Sequence, residues 1–308
     1  MPPLPKRKIG KSGPDVSTLG FGAMGLSASY DKVDDHARFA VLDRALELGT
    51  TFWGTSVIST KFAVTIANGI STIRSDPEYV RQACEKSLRR LGVDKIDLYY
   101  CHRVDKVTPI ERTVEAMAEL KQEGKIGAIG LSEVSAATIR RAEKVHHIDA
   151  VQLEYSPFAL EIESEQIGIL QTCRELGISV IAYSPQGRGF LTGQIQSPDD
   201  FEEGDFRKYA PRYSKENFPK NLRLVQKLQE FAARKDCTAG QLSLAWLLAQ
   251  GPDITAIPEC YVGAIYVYLT AEEAQEIRME IEKVEVAGDR YPSVFQSFSF
   301  GDTPDLSS

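Results

Sequence analysis

Thr51-Phe52-Trp53-Gly54-Thr55-Ser56-Val57-Ile58-Ser59-Thr60-Lys61-Phe62 sets two apolar runs, 51–53 and 57–62, only three residues apart. The chain otherwise alternates short apolar runs with helix-length amphipathic segments, so both runs read as strands. Neighbouring parallel strands need a crossover of about a dozen residues or more, usually a helix, because the chain must travel back a full strand length. Three residues cannot do this. The runs are therefore one bent strand, the arms of a hairpin, or two staves of a regular β/α architecture from which a segment is missing.

Working outward, residues 7–18 read as an opening hairpin that turns at Ser12-Gly13-Pro14-Asp15, and Leu19-Gly20-Phe21-Gly22 as a first buried strand. Residues 35–48 read as a helix with Phe39, Leu42 and Leu46 at helical spacing and Gly49 as its stop. Beyond the irregular join, Ser75-Asp76-Pro77-Glu78 is a capping box opening a helix with Val80, Cys84, Leu88 and Leu91 on one face. Ile96-Asp97-Leu98-Tyr99-Tyr100-Cys101 is strand-like, and Thr108-Pro109-Ile110-Glu111 is a second capping box. The alternation continues with strand 126–131, helix 135–146, strand 150–153, helix 165–176 and strand 179–182. After a polar stretch, 199–219, come helices 221–235 and 239–248, strand 254–257, and a helix capped by Thr270 with Glu273. About eight such alternations predict one (β/α)8 TIM-type barrel over residues 1–308, with its active site at the carboxyl ends of the strands. The barrel is expected to lack its second helix and part of its last strand-to-helix connection. A doubly wound open sheet is the alternative, weakened because no G-x-G-x-x-G joins a strand to a helix.

Composition narrows the class. With 43% apolar and 26% charged residues the chain reads as soluble and globular, large enough to bury a core. Its net charge of -7 is spread along the chain without a basic stripe, which argues against a nucleic-acid partner. Five well-separated cysteines show no metal-ligand spacing with the four histidines and read as reduced core thiols, so no metal is expected. No run approaches the ~18 apolar residues of a membrane span, and neither end carries a recognisable address. A cytoplasmic protein with no membrane partner is the expectation; oligomeric state is not legible.

The residues that would follow the strands are polar or have special backbones, and their motifs resemble one family. Leu19-Gly20-Phe21-Gly22-Ala23-Met24-Gly25, Asp97-Leu98-Tyr99-Tyr100-Cys101-His102, Gly130-Leu131-Ser132-Glu133 and Ala182-Tyr183-Ser184-Pro185 look like the aldo-keto reductases, in their pyridoxal reductase-like branch. So do Gly187-Arg188-Gly189-Phe190-Leu191-Thr192-Gly193 and Gln241-Leu242-Ser243-Leu244-Ala245-Trp246-Leu247-Leu248. The resemblance implies NADPH-dependent reduction of a small carbonyl compound, an aldehyde or ketone, to an alcohol. The cofactor supplies the hydride, and an Asp, a Tyr, a Lys and a His at strand ends position the carbonyl and protonate its oxygen. Lys61 matches the lysine and His102 the histidine. For the cofactor, the resemblance assigns Met24 to the site, Ser132 and Gln152 to the nicotinamide carboxamide, Tyr183 to stacking on the ring, and Ser184, Gly187 and Arg188 to the pyrophosphate. Glu133, as an acceptor only, suits the amide NH2.

Two departures stand out. The family pattern Asp-Thr-Ala-x-x-Tyr-Gly should follow Thr51-Phe52-Trp53, yet Gly54 stands in place of the Asp and the Tyr has no counterpart. An internal deletion that took both residues and the second helix accounts for the failed crossover. Tyr30, in a loop near the expected mouth, is the one candidate for a stand-in phenol. Residues 254–277 contain neither Lys nor Arg where the family holds the 2'-phosphate, so NADPH recognition there is weakened. The expectations are an impaired reductase, a non-catalytic nucleotide-binding pseudoenzyme, or a defective gene product.

Overall fold

The computed structural model describes residues 4–23, 26, 34–50, 52, 57–67, 70–258, 262–296 and 298–306. β1 (Lys6–Lys8) and β2 (Asp15–Ser17) form the opening antiparallel hairpin, with Arg7 opposite Val16. Helix α1 (Asp35–Glu47) precedes β3 (Ser59–Phe62). There follows an element with no sequence-based counterpart, the antiparallel pair β4 (Val64–Ala67) and β5 (Ile70–Ile73). The chain leaves β3 for this hairpin through Ala63, a buried residue at φ 90. Then come α2 (Pro77–Leu91), β6 (Ile96–Cys101), α3 (Ile110–Gln122), β7 (Ile126–Ser132), α4 (Ala136–Val145), β8 (Ala150–Glu154), α5 (Ile169–Leu176) and β9 (Ser179–Tyr183). α6 (Phe218–Arg234), α7 (Ala239–Leu248), β10 (Ile254–Ala256), α8 (Ala271–Lys283) and the short α9 (Ser293–Gln296) complete the order.

Six parallel strands lie side by side in the order β3, β6, β7, β8, β9, β10, with helices between successive strands in the chain: a TIM-type α/β fold. Beyond β10 the pairing goes on through isolated bridges. Leu19 pairs in parallel with Ala256, the Phe21 amide donates to the Phe52 carbonyl, and Phe52 pairs in parallel with Val57 next to β3. Two parallel neighbours are thus joined by four residues, 53–56, which leave no room for a crossover helix. Neither a bent strand nor a hairpin describes this pair.

The strands alternate faces as period-2 patterning requires. Tyr99 and Cys101 pack outward against the helices, whereas Leu98 and Tyr100 face an inner cluster with Ile9, Val16, Phe52, Val57, Ala128, Ala150 and Ile181. Gly130 is needed there, since a Cβ on it would sit 2.3 Å from the Tyr100 ring. Among the caps, Thr238–Gln241 and Thr270–Glu273 are reciprocal boxes. The cap of α2 is Asp76 rather than Ser75, its carboxylate accepting from the Tyr79 amide at 3.0 Å. Nor does Thr108 cap α3; its hydroxyl and amide are taken by Asp105.

α1 departs furthest from expectation. Phe39, Leu42 and Leu46 were spaced to form an inner face, but Phe39 is 62% exposed and Ala45 is the one fully buried residue of the helix.

Candidate active site

Parallel strands present all their carboxyl ends at one edge, so residues distant in sequence gather there. Lys61 lies opposite Tyr100 and Phe62 opposite Cys101, and the His102 amide donates to the Phe62 carbonyl at 3.0 Å. Lys61 and His102 therefore stand at the ends of adjacent strands, with Arg103 next to them. Arg103 Nη1 donates to the His102 carbonyl at 2.7 Å and to Ser132 Oγ at 3.3 Å. Lys61 makes no hydrogen bond or ion pair with any described residue. Solvent still reaches its side chain, yet burial of its surroundings, and then Arg103, bring the ammonium down to about 8. Burial, Arg103 and Lys61 push the His102 imidazole down to about 3, so the ring is neutral at physiological pH.

Next to these cations lies a buried cluster of opposite charge. Glu133, at φ 51 and fully buried, follows β7. Its carboxylate accepts from Arg290 Nη2 at 3.2 Å, Tyr183 Oη at 3.0 Å and the Glu154 amide at 3.2 Å. Burial alone would raise its pKa, but Arg290 and Arg103 outweigh that and hold it below the usual range. Arg290 also lies 3.6 Å from Glu154 and 3.9 Å from Glu161. The C-terminal tail is held in place at Gly301, whose amide donates to the Glu133 carbonyl at 2.7 Å.

After β9 the backbone adopts left-handed geometry at Ser184 (φ 47), Gly187 (φ 57), Arg188 (φ 56) and Gly189 (φ 87). Such turns present amides together and make concavities suited to anions. Tyr183 is half-buried, and its hydroxyl bonds both Glu133 and the Tyr291 hydroxyl, the latter at 2.9 Å. Burial, Glu133 and Tyr291 raise its pKa well above the ordinary phenol value. The Arg188 guanidinium sits 3.5 Å from Glu154 and against the rings of Phe206 and Tyr291, at 4.9 and 4.8 Å.

A family model described as "Aldo/keto reductase family" matches residues 55–262. The chain is an aldo/keto reductase family member. Across 338 aligned positions it is 46% identical to the protein of Schizosaccharomyces pombe named aldo-keto reductase yakc, NADP(+), covering 98% of this chain and 99% of that one. It is 47% identical over 325 positions to the aldo-keto reductase str7 of Strobilurus tenacellus, covering 94% and 95%. Both alignments run over more positions than this chain's 308 residues. Among solved structures, the glycerol dehydrogenase AKR11B4 from Gluconobacter oxydans superposes with a TM-score of 0.81 at 24% identity, covering 92% of this chain and 97% of that one. The aldo-keto reductase AKR11C1 from Bacillus halodurans, a holo form, gives 0.70 at 26% identity, covering 93% and 98%.

In this aldo-keto reductase, Lys61, His102, Ser132 and Tyr183 lie at or next to the carboxyl ends of their strands, Gln152 lies within β8 opposite Ser132, and Ser184, Gly187 and Arg188 lie in the loop after β9. Met24, Gly54 and Tyr30 lie outside the described residues. Glu133 is not a free acceptor, because its carboxylate is engaged by Arg290, Tyr183 and Glu154. No group of His, Cys, Asp and Glu able to hold a metal occurs among the described residues. Arg103, Arg290 and Tyr291 were missed. Arg103 could have been suspected from its place beside His102, but Arg290 and Tyr291 sit in an aperiodic tail with no local signal.

Proposed function

We propose that this chain is an aldo-keto reductase that takes NADP(H) and a small aldehyde or ketone, in a form whose reduction step is impaired. The left-handed turns at 184–189, the half-exposed Tyr183 ring beside them and the NADP(+) in the yeast relative's name support the cofactor. When bound, the dinucleotide supplies the hydride. The chain's own residues must orient the carbonyl and deliver a proton to its oxygen. His102, a neutral imidazole, suits the first task, since it can donate an N–H without carrying charge. Lys61 suits the cation that would lower the pKa of a neighbouring phenol. The family's phenol has no counterpart in the sequence after Thr51-Phe52-Trp53. Tyr183 has its hydroxyl engaged and its pKa raised, the wrong direction for a donor near neutrality.

The unpaired Lys61 ammonium carries this reading: no described carboxylate lies within ion-pair distance of it. Relatives that align over more positions than this chain contains leave room for a lost segment, which this reading assigns to the join at 53–56. With NADPH and a panel of reactive aldehydes, the purified protein is expected to turn over about a hundredfold or more slower than str7, the usual size of a general-acid contribution. Turnover at the relative's rate overturns the impairment. Inserting the yeast relative's residues between Ser56 and Val57 is expected to restore it. With no Lys or Arg in 254–277, quenching titrations should find little preference for NADPH over NADH.

A second reading, a nucleotide-binding pseudoenzyme, is favoured by the intact geometry after β9; it predicts nicotinamide fluorescence changes without turnover. A genomic stretch between the codons for Ser56 and Val57, encoding an in-frame helix with Asp and Tyr, would mark this form instead as a defective product. A cytoplasmic location accompanies the proposal, and no described helix is long and apolar enough to cross a membrane.

A further inference from the structure

We propose that Tyr291 is a positioning residue for the dinucleotide, holding through its hydroxyl and its ring the two side chains that would meet the nicotinamide and the pyrophosphate. The inference rests on the reading of Tyr183 and Arg188 as cofactor contacts. Tyr291 is presented by its neighbour: the Arg290 guanidinium is buried against Glu133 at 3.2 Å and Glu154 at 3.6 Å, which anchors the backbone after α8 over the strand ends. The Tyr291 hydroxyl meets that of Tyr183 at 2.9 Å, and Tyr183 also donates to Glu133 at 3.0 Å. Two partners at the tip of one ring restrict its tilt, the freedom a stacking platform must lose.

The ring of Tyr291 does a separate task. Its centroid lies 4.8 Å from the Arg188 guanidinium, and the Phe206 ring lies 4.9 Å away, with the two rings 5.9 Å apart. A guanidinium packed against aromatic faces is attracted to the rings and turns its N–H edge to polar partners, here Glu154 at 3.5 Å. One tail residue thus touches both side chains.

Binding of NADP+ and of adenosine diphosphate, which has the pyrophosphate but no nicotinamide, separates the two tasks by isothermal titration. Tyr291→Phe keeps the ring and removes the hydroxyl; it is expected to weaken NADP+ about fivefold, the size of one neutral hydrogen bond, and to leave adenosine diphosphate unchanged. Tyr291→Leu is expected to weaken both nucleotides, NADP+ by more than tenfold. Should Tyr291→Leu lose its cooperative unfolding transition, the Tyr291→Phe pair of affinities decides alone. Wild-type affinities in Tyr291→Phe for both nucleotides overturn the inference and leave the cofactor reading standing. A wild-type protein that binds neither nucleotide overturns both.

Discussion

The two sides of this molecule are finished differently. From β6 to β9 each strand is paired on both sides, its helix buries a full apolar face, and the C-terminal tail reaches across the strand ends to neutralise Glu133. From α1 to Val57, among the described residues, an isolated bridge joins Phe52 to Val57, the sequence leaves four residues between them, and α1 leaves Phe39 in solvent. Helical spacing of apolar residues therefore does not by itself bury them: the stripe of α3 is covered by the sheet and its neighbouring helices, while that of α1 leaves Phe39 exposed.

The comparison can be broken by substitution. The largest effect is expected from Arg290→Met on the finished side. It removes the buried ion-pair partner of the Glu133 carboxylate, at a cost of about 3–5 kcal/mol in urea unfolding; adding Glu133→Gln should recover part of that loss. Gly130→Val comes next, because its Cβ collides with the Tyr100 ring, and ~1–3 kcal/mol is expected from such overpacking. On the open side Phe39→Ser should change stability by no more than about 0.5 kcal/mol. A loss of several kcal/mol there would mean that α1 packs better than its exposure shows.

Hydrogen exchange sharpens the same contrast without substitution. Amides of α1 are expected to exchange through local openings far below the global unfolding free energy, while those of α3 and α4 exchange near it. Equal protection would contradict the division.

The smallest effect concerns Lys61. Its ammonium is held down to about 8 in the folded protein against 10.5 as a free side chain, so the folded state carries a penalty while the lysine is charged. Lys61→Met should therefore be slightly stabilising at pH 7, with the gain fading as pH rises from 8 to 10.5. Solvent screening keeps it modest. On the acid side His102, about 3 folded and 6.5 free, favours the unfolded chain as pH falls below 6.5. His102→Gln should flatten that decline.

Much of this was legible from residue patterns. β6 spans the residues its apolar run marks, and α7 with its Thr238–Gln241 box lies where periodicity puts it. The β4–β5 hairpin was legible but passed over: the sequence puts Asn68-Gly69, a pair typical of two-residue hairpin turns, between Val64–Ala67 and Ile70–Ile73, and the apolar run before it drew both segments into one strand. Lys61 and His102 could be assigned to strand ends, since position along a strand is a local property. Glu133 was misjudged as a free acceptor because its partner is 157 residues away.

By itself the sequence determined the order and kind of the staves, the broken join at 51–62 and the two basic residues at the strand ends, all set by short-range periodicity, turn chemistry and chain length. Only the tertiary structure decided that Arg290 neutralises Glu133, that Tyr291 touches Tyr183 and Arg188, and that Lys61 stays without a carboxylate among the described residues. Those pairings depend on which distant segments the closing chain brings together, and on the low dielectric that makes a buried charge seek a partner.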